Sequence, residues 1–307
     1  MRRYKCAVIG CGRIGALLEF DMKREKPATH LGAYQKLSDI FDLVAVCDIN
    51  EERAEKVAEH FNVSYWFSDV KKMINSLDID VVSVCTPPKG RFELVNKIVS
   101  SPRPPKLIFL EKPIAENLYE ADAINELCKK YRVKLMVNHT RRFSGAFRAL
   151  KLSIIQRLYG EPVLFRGLFS GNIVNDGVHM ADLALWLFDE GKICVENVKA
   201  PYLIFEVDLV FSNARVLIRD NGARFEVYRP IESKRYEGIK ELQLVKVLPY
   251  KFSFSGAILN ALKEINDCLR FDREPSCGAD EGIEALRLAL KWRAEKFKIS
   301  LSVSKML

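Results

Sequence analysis

The chain has 307 residues, 49% of them hydrophobic and 29% charged, with a net charge of +8 at neutral pH. That length exceeds one typical core and predicts two domains, and the composition excludes a disordered or collagen-like chain. Its 48 basic residues are spread along the whole sequence, whereas a nucleic-acid binder concentrates them in a block or stripe.

The eight cysteines form no Cys-x-x-Cys pair, and His30, His60, His139 and His179 stand far apart without metal-ligand spacing. Free thiols in a reducing cytoplasm, and no metal, are therefore expected. The basic start and the apolar run behind it invite comparison with a signal peptide, but the glycines, then Glu19 and Asp21, interrupt the pattern. No apolar stretch is long enough to cross a membrane.

Tyr4–Ile9 reads as a buried strand that runs into Gly10-Cys11-Gly12-Arg13-Ile14-Gly15, followed by a helix-compatible Ala16–Phe20. A strand, a Gly-x-Gly-x-x-Gly turn and a helix in that order are what a dinucleotide site needs. The first glycine permits the tight turn, the second lets the backbone approach a diphosphate, and the third lets helix and strand pack closely. The helix N-terminus then receives the negative charge. The same turn also occurs as ordinary loop chemistry in other α/β proteins. Strand Asp42–Asp48 ends in a carboxylate able to accept both hydroxyls of an adenosine ribose and to repel a 2′-phosphate, which favours NAD over NADP. As plain structure, Asp48 would be a helix N-cap. The polar segment Asp21–Pro27 reads as a loop insertion and accounts for a gap longer than the usual twenty or so residues.

Beyond Asp48 the pattern alternates. It predicts helix Glu51–Phe61, strand Val63–Trp66, helix Val70–Ser76, strand Val81–Cys85 and helix Phe92–Val99, then strand Lys106–Leu110, helix Leu118–Tyr131 and strand Val133–Val137. Apolar strands between helices imply a parallel sheet covered on both faces. Ligands bind beyond the carboxyl ends of such strands, and Thr86-Pro87-Pro88, Glu111-Lys112-Pro113 and Asn138–Phe143 follow three of those ends. A lysine at Lys112 would sit near the reactive end of a bound nicotinamide, where desolvation and like charge lower its proton affinity and suit it to acid–base work. The plain alternative is a surface ion pair with Glu111.

In the second half a basic start at Arg141 leads into a helix to Leu158, and Gly160-Glu161-Pro162 turns into strand Val163–Phe169. Asn175-Asp176-Gly177-Val178-His179 then opens a helix that continues to Leu187. Asn175 or Asp176 can cap it, and positions three and four apart share a face, which aligns Asn175, His179 and Asp182. Taken alone, His179 is a satisfied core histidine. Tyr202–Leu248 alternates as antiparallel strands, with Asp220-Asn221-Gly222 as a type I′ hairpin turn. Phe252–Phe271 and Asp280–Phe297 read as amphipathic helices.

In order and spacing, the Gly10–Gly15 turn, Asp48, Thr86-Pro87, Glu111-Lys112-Pro113 and Arg141-Arg142-Phe143 resemble the Gfo/Idh/MocA family, that of glucose–fructose oxidoreductase and inositol dehydrogenase, over nearly the whole chain. The resemblance implies an α/β fold: a Rossmann-type doubly wound parallel sheet over residues 1–139, then a substrate-binding and oligomerising α+β domain over 140–307 with an open, mainly antiparallel sheet. It implies an NAD-dependent oxidoreductase acting on a secondary alcohol or ketone of a sugar, polyol or sugar derivative. Gly10, Gly12, Arg13, Ile14, Gly15, Asp48, Thr86, Pro87, Glu111 and Lys112 would bind the cofactor. Lys112 would hydrogen-bond the reacting oxygen, His179 would exchange its proton and Asn175 would orient the hydroxyl. Arg91, Asn138, Arg141, Arg142 and Asp176 would surround the substrate. A cis Lys112–Pro113 bond and a homodimer or homotetramer are implied as well. The chain departs from the family's pattern at Asn175, which replaces a usual aspartate, at Arg91, which replaces a frequent histidine, and in the short segment Phe169–Asn175. Asn175 resembles relatives that act on nucleotide sugars. It also fits a second reading, a dinucleotide-binding sensor or regulatory protein without the chemistry.

Overall fold

The computed structural model describes residues 3–295 and 299–303. They fall into two units. One runs to Phe143 and takes up the chain again over Ser253–Leu286; the other holds Ser144–Phe252 and the residues from Arg287 onward.

In the first unit, β1 (Tyr4–Ile9), β2 (Phe41–Cys47), β3 (Tyr65–Phe67), β4 (Val81–Val84), β5 (Leu107–Leu110) and β6 (Lys134–Val137) form one sheet in the order β3-β2-β1-β4-β5-β6. Every neighbouring pair is parallel. Helices α1 (His30–Lys36), α2 (Glu51–His60), α3 (Val70–Ser76), α4 (Arg91–Val99) and α5 (Leu118–Tyr131) make the connections. β4 and β5 are buried at every position, which is why they read as unbroken apolar runs instead of alternating ones. Thr29, Asn50, Asp69 and Asn117 each accept a backbone N–H at the start of a helix, so the local polar signals place those starts. The strand order reverses between β1 and β4, which opens a crevice at their carboxyl ends.

The segment after the glycine turn differs from the expected helix. Leu17–Phe20 is a short 3₁₀ turn, and regular helix appears only at α1. The Glu19 carboxylate folds back to accept from Ala28 N (2.9 Å) and Thr29 Oγ1 (2.7 Å), while Lys26 Nζ donates to Leu18 O (3.0 Å). These contacts close the insertion. His30 N and Leu31 N then donate to Ile14 O and Gly15 O, both at 3.1 Å, so α1 rests its first turn on the glycine turn.

The second unit begins after the short α6 (Thr140–Phe143). The single helix expected from Arg141 to Leu158 is broken at Ser144, whose extended ψ of 128° separates α6 from α7 (Gly145–Ile155). Then follow β7 (Pro162–Ser170), α8 (Gly177–Leu187), β8 (Gly191–Val198), β9 (Phe205–Phe211), β10 (Ala214–Arg219), β11 (Arg224–Glu232) and β12 (Lys240–Val247). With β13 (Ile299–Val303) they form a sheet ordered β12-β11-β10-β9-β7-β8-β13, in which only β7 and β8 pair in parallel. Phe205, Val207, Leu209 and Phe211 of β9 face the covered side, and the intervening Glu206 and Asp208 face the open one, as the alternation predicts. On the covered side a Cβ at Gly167 would lie 2.6 Å from Met180 Sδ, which shows how closely α8 approaches β7.

The hairpin between β10 and β11 is not a two-residue turn. Asp220, Asn221 and Gly222 all take positive φ (52°, 56° and 94°), and Arg219 pairs with Arg224 across a longer connection. β8 was not anticipated from the sequence pattern. α9 (Phe254–Arg270) returns to the first unit, where Ser255 Oγ donates to Lys26 O (2.8 Å) and Asn260 Nδ2 to Phe143 O (3.0 Å). α10 spans Ala279–Ala294; the expected extension to Phe297 lies outside the described residues.

Candidate functional site

The residues that follow the parallel strands form a stepped ledge held by the sheet's own hydrogen bonding. Gly10 N donates to Cys47 O (2.7 Å), Cys85 N to Ile9 O (2.7 Å), Glu111 N to Val84 O (3.0 Å) and Asn138 N to Leu110 O (2.8 Å). Each is the first residue past its strand, bonded to the last carbonyl of the neighbouring strand.

At one end of the ledge the three glycines have distinct reasons to be glycine. Gly10 has φ +93° and a Cβ there would meet the Cys85 carbonyl carbon at 2.9 Å; a Cβ at Gly15 would lie 1.9 Å from Gly10 O. At Gly12 a Cβ would find nothing within 4 Å, so the protein leaves open space where a diphosphate has to approach. Arg13, exposed, and Ile14 complete the turn. Asp48 is 7% exposed. Its Oδ2 accepts from Cys11 N (2.8 Å) inside the turn and its Oδ1 from Asn50 N (2.9 Å). The cap of α2 is Asn50, not Asp48. Arg53 Nη1 stands 3.8 Å from the same carboxylate. Burial, reinforced by Asp48, pushes the Cys11 thiol up to about 12, so that cysteine is an inert part of the turn.

At the centre of the ledge, Glu111 is 7% exposed and its Oε1 accepts from Asn138 Nδ2 (2.7 Å) while facing His30 Nε2 (3.0 Å). Burial opposes ionisation, but the hydrogen bonds from His30 and Asn138 and the charge of Lys112 together outweigh it and hold this carboxyl below its ordinary range. Lys112 is half-buried and its backbone N donates to Glu111 Oε2 (3.2 Å). The Lys112–Pro113 peptide bond is cis.

Arg91 takes a different part from the one expected. It is 1% exposed, so it does not sit in an open substrate pocket. Its guanidinium donates to Glu111 O (2.5 Å), to Pro113 O and to Thr86 O, bracing the turns after β4 and β5 together. Burial pulls its pKa down to about 10, and the group stays charged at neutral pH. Removing it strands buried carbonyls, each costing about 1–3 kcal/mol. Arg91→Met is therefore expected to lower stability by roughly 3 kcal/mol or more, read from the midpoint of urea unfolding at unchanged m-value.

Among the remaining first-unit candidates, Asn138 follows β6 and Arg141 and Arg142 stand on α6. Asn138 is 1% exposed, Arg142 8%, and Arg141 is half-buried on α6. Thr86 and Pro87 follow β4, the first half-buried and the second exposed.

In the second unit the loop before α8 is organised by Asp176 and Asn172. Asp176 Oδ2 accepts from Asn172 N (2.8 Å), its Oδ1 accepts from Asn175 Nδ2 (3.1 Å), and Asn172 Oδ1 accepts from Asn175 N (2.8 Å). Asp176 occupies the N-cap position of α8 without a side-chain cap bond. Asn175 precedes the helix and is exposed; His179 is half-buried in the first turn of α8 and Asp182, one turn on, is 1% exposed.

Two contributors were not singled out from the sequence. His30 looks like any isolated histidine, although Thr29 before it is a recognisable N-cap. Arg53 lies on the first turn of a helix whose start was legible, but nothing in the sequence pairs it with Asp48.

Residues 4–139 match the model of the Gfo/Idh/MocA family, described as an oxidoreductase family with an NAD-binding Rossmann fold. The chain is 29% identical over 162 residues to a myo-inositol 2-dehydrogenase of Thermotoga maritima, covering 53% of this chain and 44% of that one. It is 28% identical over 197 residues to a scyllo-inositol 2-dehydrogenase (NAD⁺) of Bacillus subtilis, covering 60% and 53%. The chain thus spans about half the length of these curated relatives. A solved levoglucosan dehydrogenase in complex with NADH and L-sorbose superposes with a TM-score of 0.77 over 100% of both chains at 14% identity, a likeness of fold alone. Residues 4–139 of this chain therefore match the NAD-binding Rossmann fold that the Gfo/Idh/MocA family model describes.

Proposed function

We propose that this protein is an NAD-dependent oxidoreductase that moves a hydride between nicotinamide and a secondary alcohol or ketone of a sugar, polyol or sugar derivative. The observation that carries the reading is the ledge: a glycine turn open at Gly12, Asp48 bonded into that turn, and Lys112 presented beside an ionised Glu111 on the same sheet edge. The inositol dehydrogenases among its relatives support the substrate class. NAD(H) supplies the hydride chemistry when bound. The chain's own part is to hold the diphosphate on the Gly10–Gly15 turn and the ribose at Asp48, with Thr86, Pro87 and Glu111 completing the cofactor site. Lys112 hydrogen-bonds the reacting oxygen, His179 exchanges its proton and Asn175 orients the hydroxyl, a positioned transfer that contributes about 10²–10⁴-fold. Asn138, Arg141, Arg142 and Asp176 are the proposed substrate contacts. We place the protein in the cytoplasm as a homodimer or homotetramer; exposed Leu242, Leu244, Val245 and Val247 on β12 support association. A screen of inositols, sugars, acidic sugars and nucleotide sugars followed at the NADH absorbance tests the activity, and no turnover across those classes would overturn it.

The cofactor preference follows from Asp48. A carboxylate fixed by two backbone N–H groups is ready to accept ribose hydroxyls and repels a 2′-phosphate, while Arg53 at 3.8 Å offsets part of that repulsion. NADH is expected to bind at least about tenfold more tightly than NADPH, which needs only about 1.4 kcal/mol. Fluorescence titration with both cofactors measures it, and equal affinities would remove Asp48 from this role.

A further inference from the structure

Behind Glu111 runs a chain of buried polar groups that the proposed chemistry does not use. Tyr34 OH lies 2.8 Å from Ser83 Oγ, Ser83 Oγ 3.1 Å from His30 Nδ1, and His30 Nε2 3.0 Å from Glu111 Oε1. Tyr34, Ser83 and His30 are all 0% exposed, and the His30 ring packs on Phe109 at 4.8 Å. The hydrogen-bond directions are constrained. An ionised Glu111 can only accept, so His30 Nε2 carries a proton; Ser83 can then donate to Nδ1 and Tyr34 to Ser83, which satisfies every group. The backbone of His30 is also committed, because His30 N donates to Ile14 O. One residue thus touches both the glycine turn and the carboxylate beside Lys112.

We propose that His30 is a positioning residue for Lys112: its Nε2–H anchors the Glu111 carboxylate and couples the Glu111-Lys112-Pro113 turn to the glycine turn. Lys112's part in catalysis rests on the oxidoreductase reading; the coupling does not. The charged and titratable groups that face this carboxylate and its imidazole partner are Lys112 from the β5 turn, Arg91 from α4, Cys85 after β4 and, through Ser83, Tyr34 from α1; Asn138 after β6 adds a neutral donor. With the His30 donor gone, burial of Glu111 is opposed mainly by Asn138 and Lys112. The carboxyl then takes up a proton more readily, and Lys112 loses the fixed negative charge that favours its own protonated form.

Two substitutions separate this role from packing, because both remove the ring. Gln at position 30 can place an amide N–H near the Nε2 position, whereas Asn reaches only toward Ser83. In NADH-bound protein, the pH dependence of Lys112 acetylation by acetic anhydride is read by peptide mass spectrometry, with no substrate required. His30→Asn is expected to lower the apparent titration midpoint of Lys112 by about half a unit or more, and His30→Gln to restore most of that shift. Where a substrate is turned over, His30→Asn is expected to lower kcat about tenfold or more with KM little changed, and to lose activity further as pH falls through the raised Glu111 titration, a limb that His30→Gln removes. Identical Lys112 titrations in the two variants would overturn the proposal, whether or not any substrate is found. If neither variant folds, Glu111→Gln gives the same reading: an unchanged Lys112 titration there refutes the coupling.

Discussion

Lys112→Ala is expected to reduce turnover of a sugar or polyol substrate at least about a hundredfold, the low end for a positioned acid or base, with NADH affinity changed by no more than a few-fold. Lys112 contributes its side chain to the ledge. The main chain around it is gripped by Arg91, which bonds Glu111 O and Pro113 O, and by the β4–β5 bond from Glu111 N to Val84 O. Truncation at Cβ therefore removes an ammonium and leaves the turn in place. His179→Ala is the companion on α8, where alanine is fully compatible with helix, and the same loss is expected for it. Steady-state rates at saturating NAD⁺, with fluorescence titration of NADH on each variant, provide the check. A variant within a few-fold of the parent protein would make its residue structural.

The glycine turn offers the second large effect, because two of its glycines predict opposite phenotypes. Gly12→Ala should fold normally: its Cβ meets nothing within 4 Å, and its φ lies outside the left-handed region. The added methyl instead occupies the approach to the diphosphate, and NADH affinity should fall at least about tenfold, or about 1.4 kcal/mol. Gly15→Ala puts a carbon 1.9 Å from Gly10 O. Neither partner is a flexible side chain, so the backbone must move, at a cost of about 1–3 kcal/mol as overpacking, and cofactor binding should be lost along with stability. Thermal unfolding and NADH titration on the pair distinguish the two. Unchanged NADH affinity in Gly12→Ala would show that the diphosphate does not bind at this turn.

Much of the first unit could be read from the chain because its signals are local. β4 and β5 are apolar at every position because both faces of a parallel sheet are covered. Helices α3 and α5 begin and end where the caps and the periodicity place them. Asp48 could be set beside the glycine turn because a parallel sheet brings adjacent strand ends together, and its carboxylate bonds to Cys11 N.

What escaped the sequence depends on partners distant along the chain. The helix expected after Gly15 is displaced because Glu19 and Lys26 fold the insertion back on itself. Arg91 carries the look of a surface residue at a helix start, yet three carbonyls from two different turns draw it to 1% exposure. His30 is an ordinary histidine until the sheet brings Ser83, 53 residues away, and Glu111, 81 residues away, to its two ring nitrogens. Periodicity records how much of a segment must be buried, and turn chemistry records where it must bend. Neither records which distant group will satisfy a buried polar atom, and at this ledge that pairing sets the charge of Glu111 and the surroundings of Lys112.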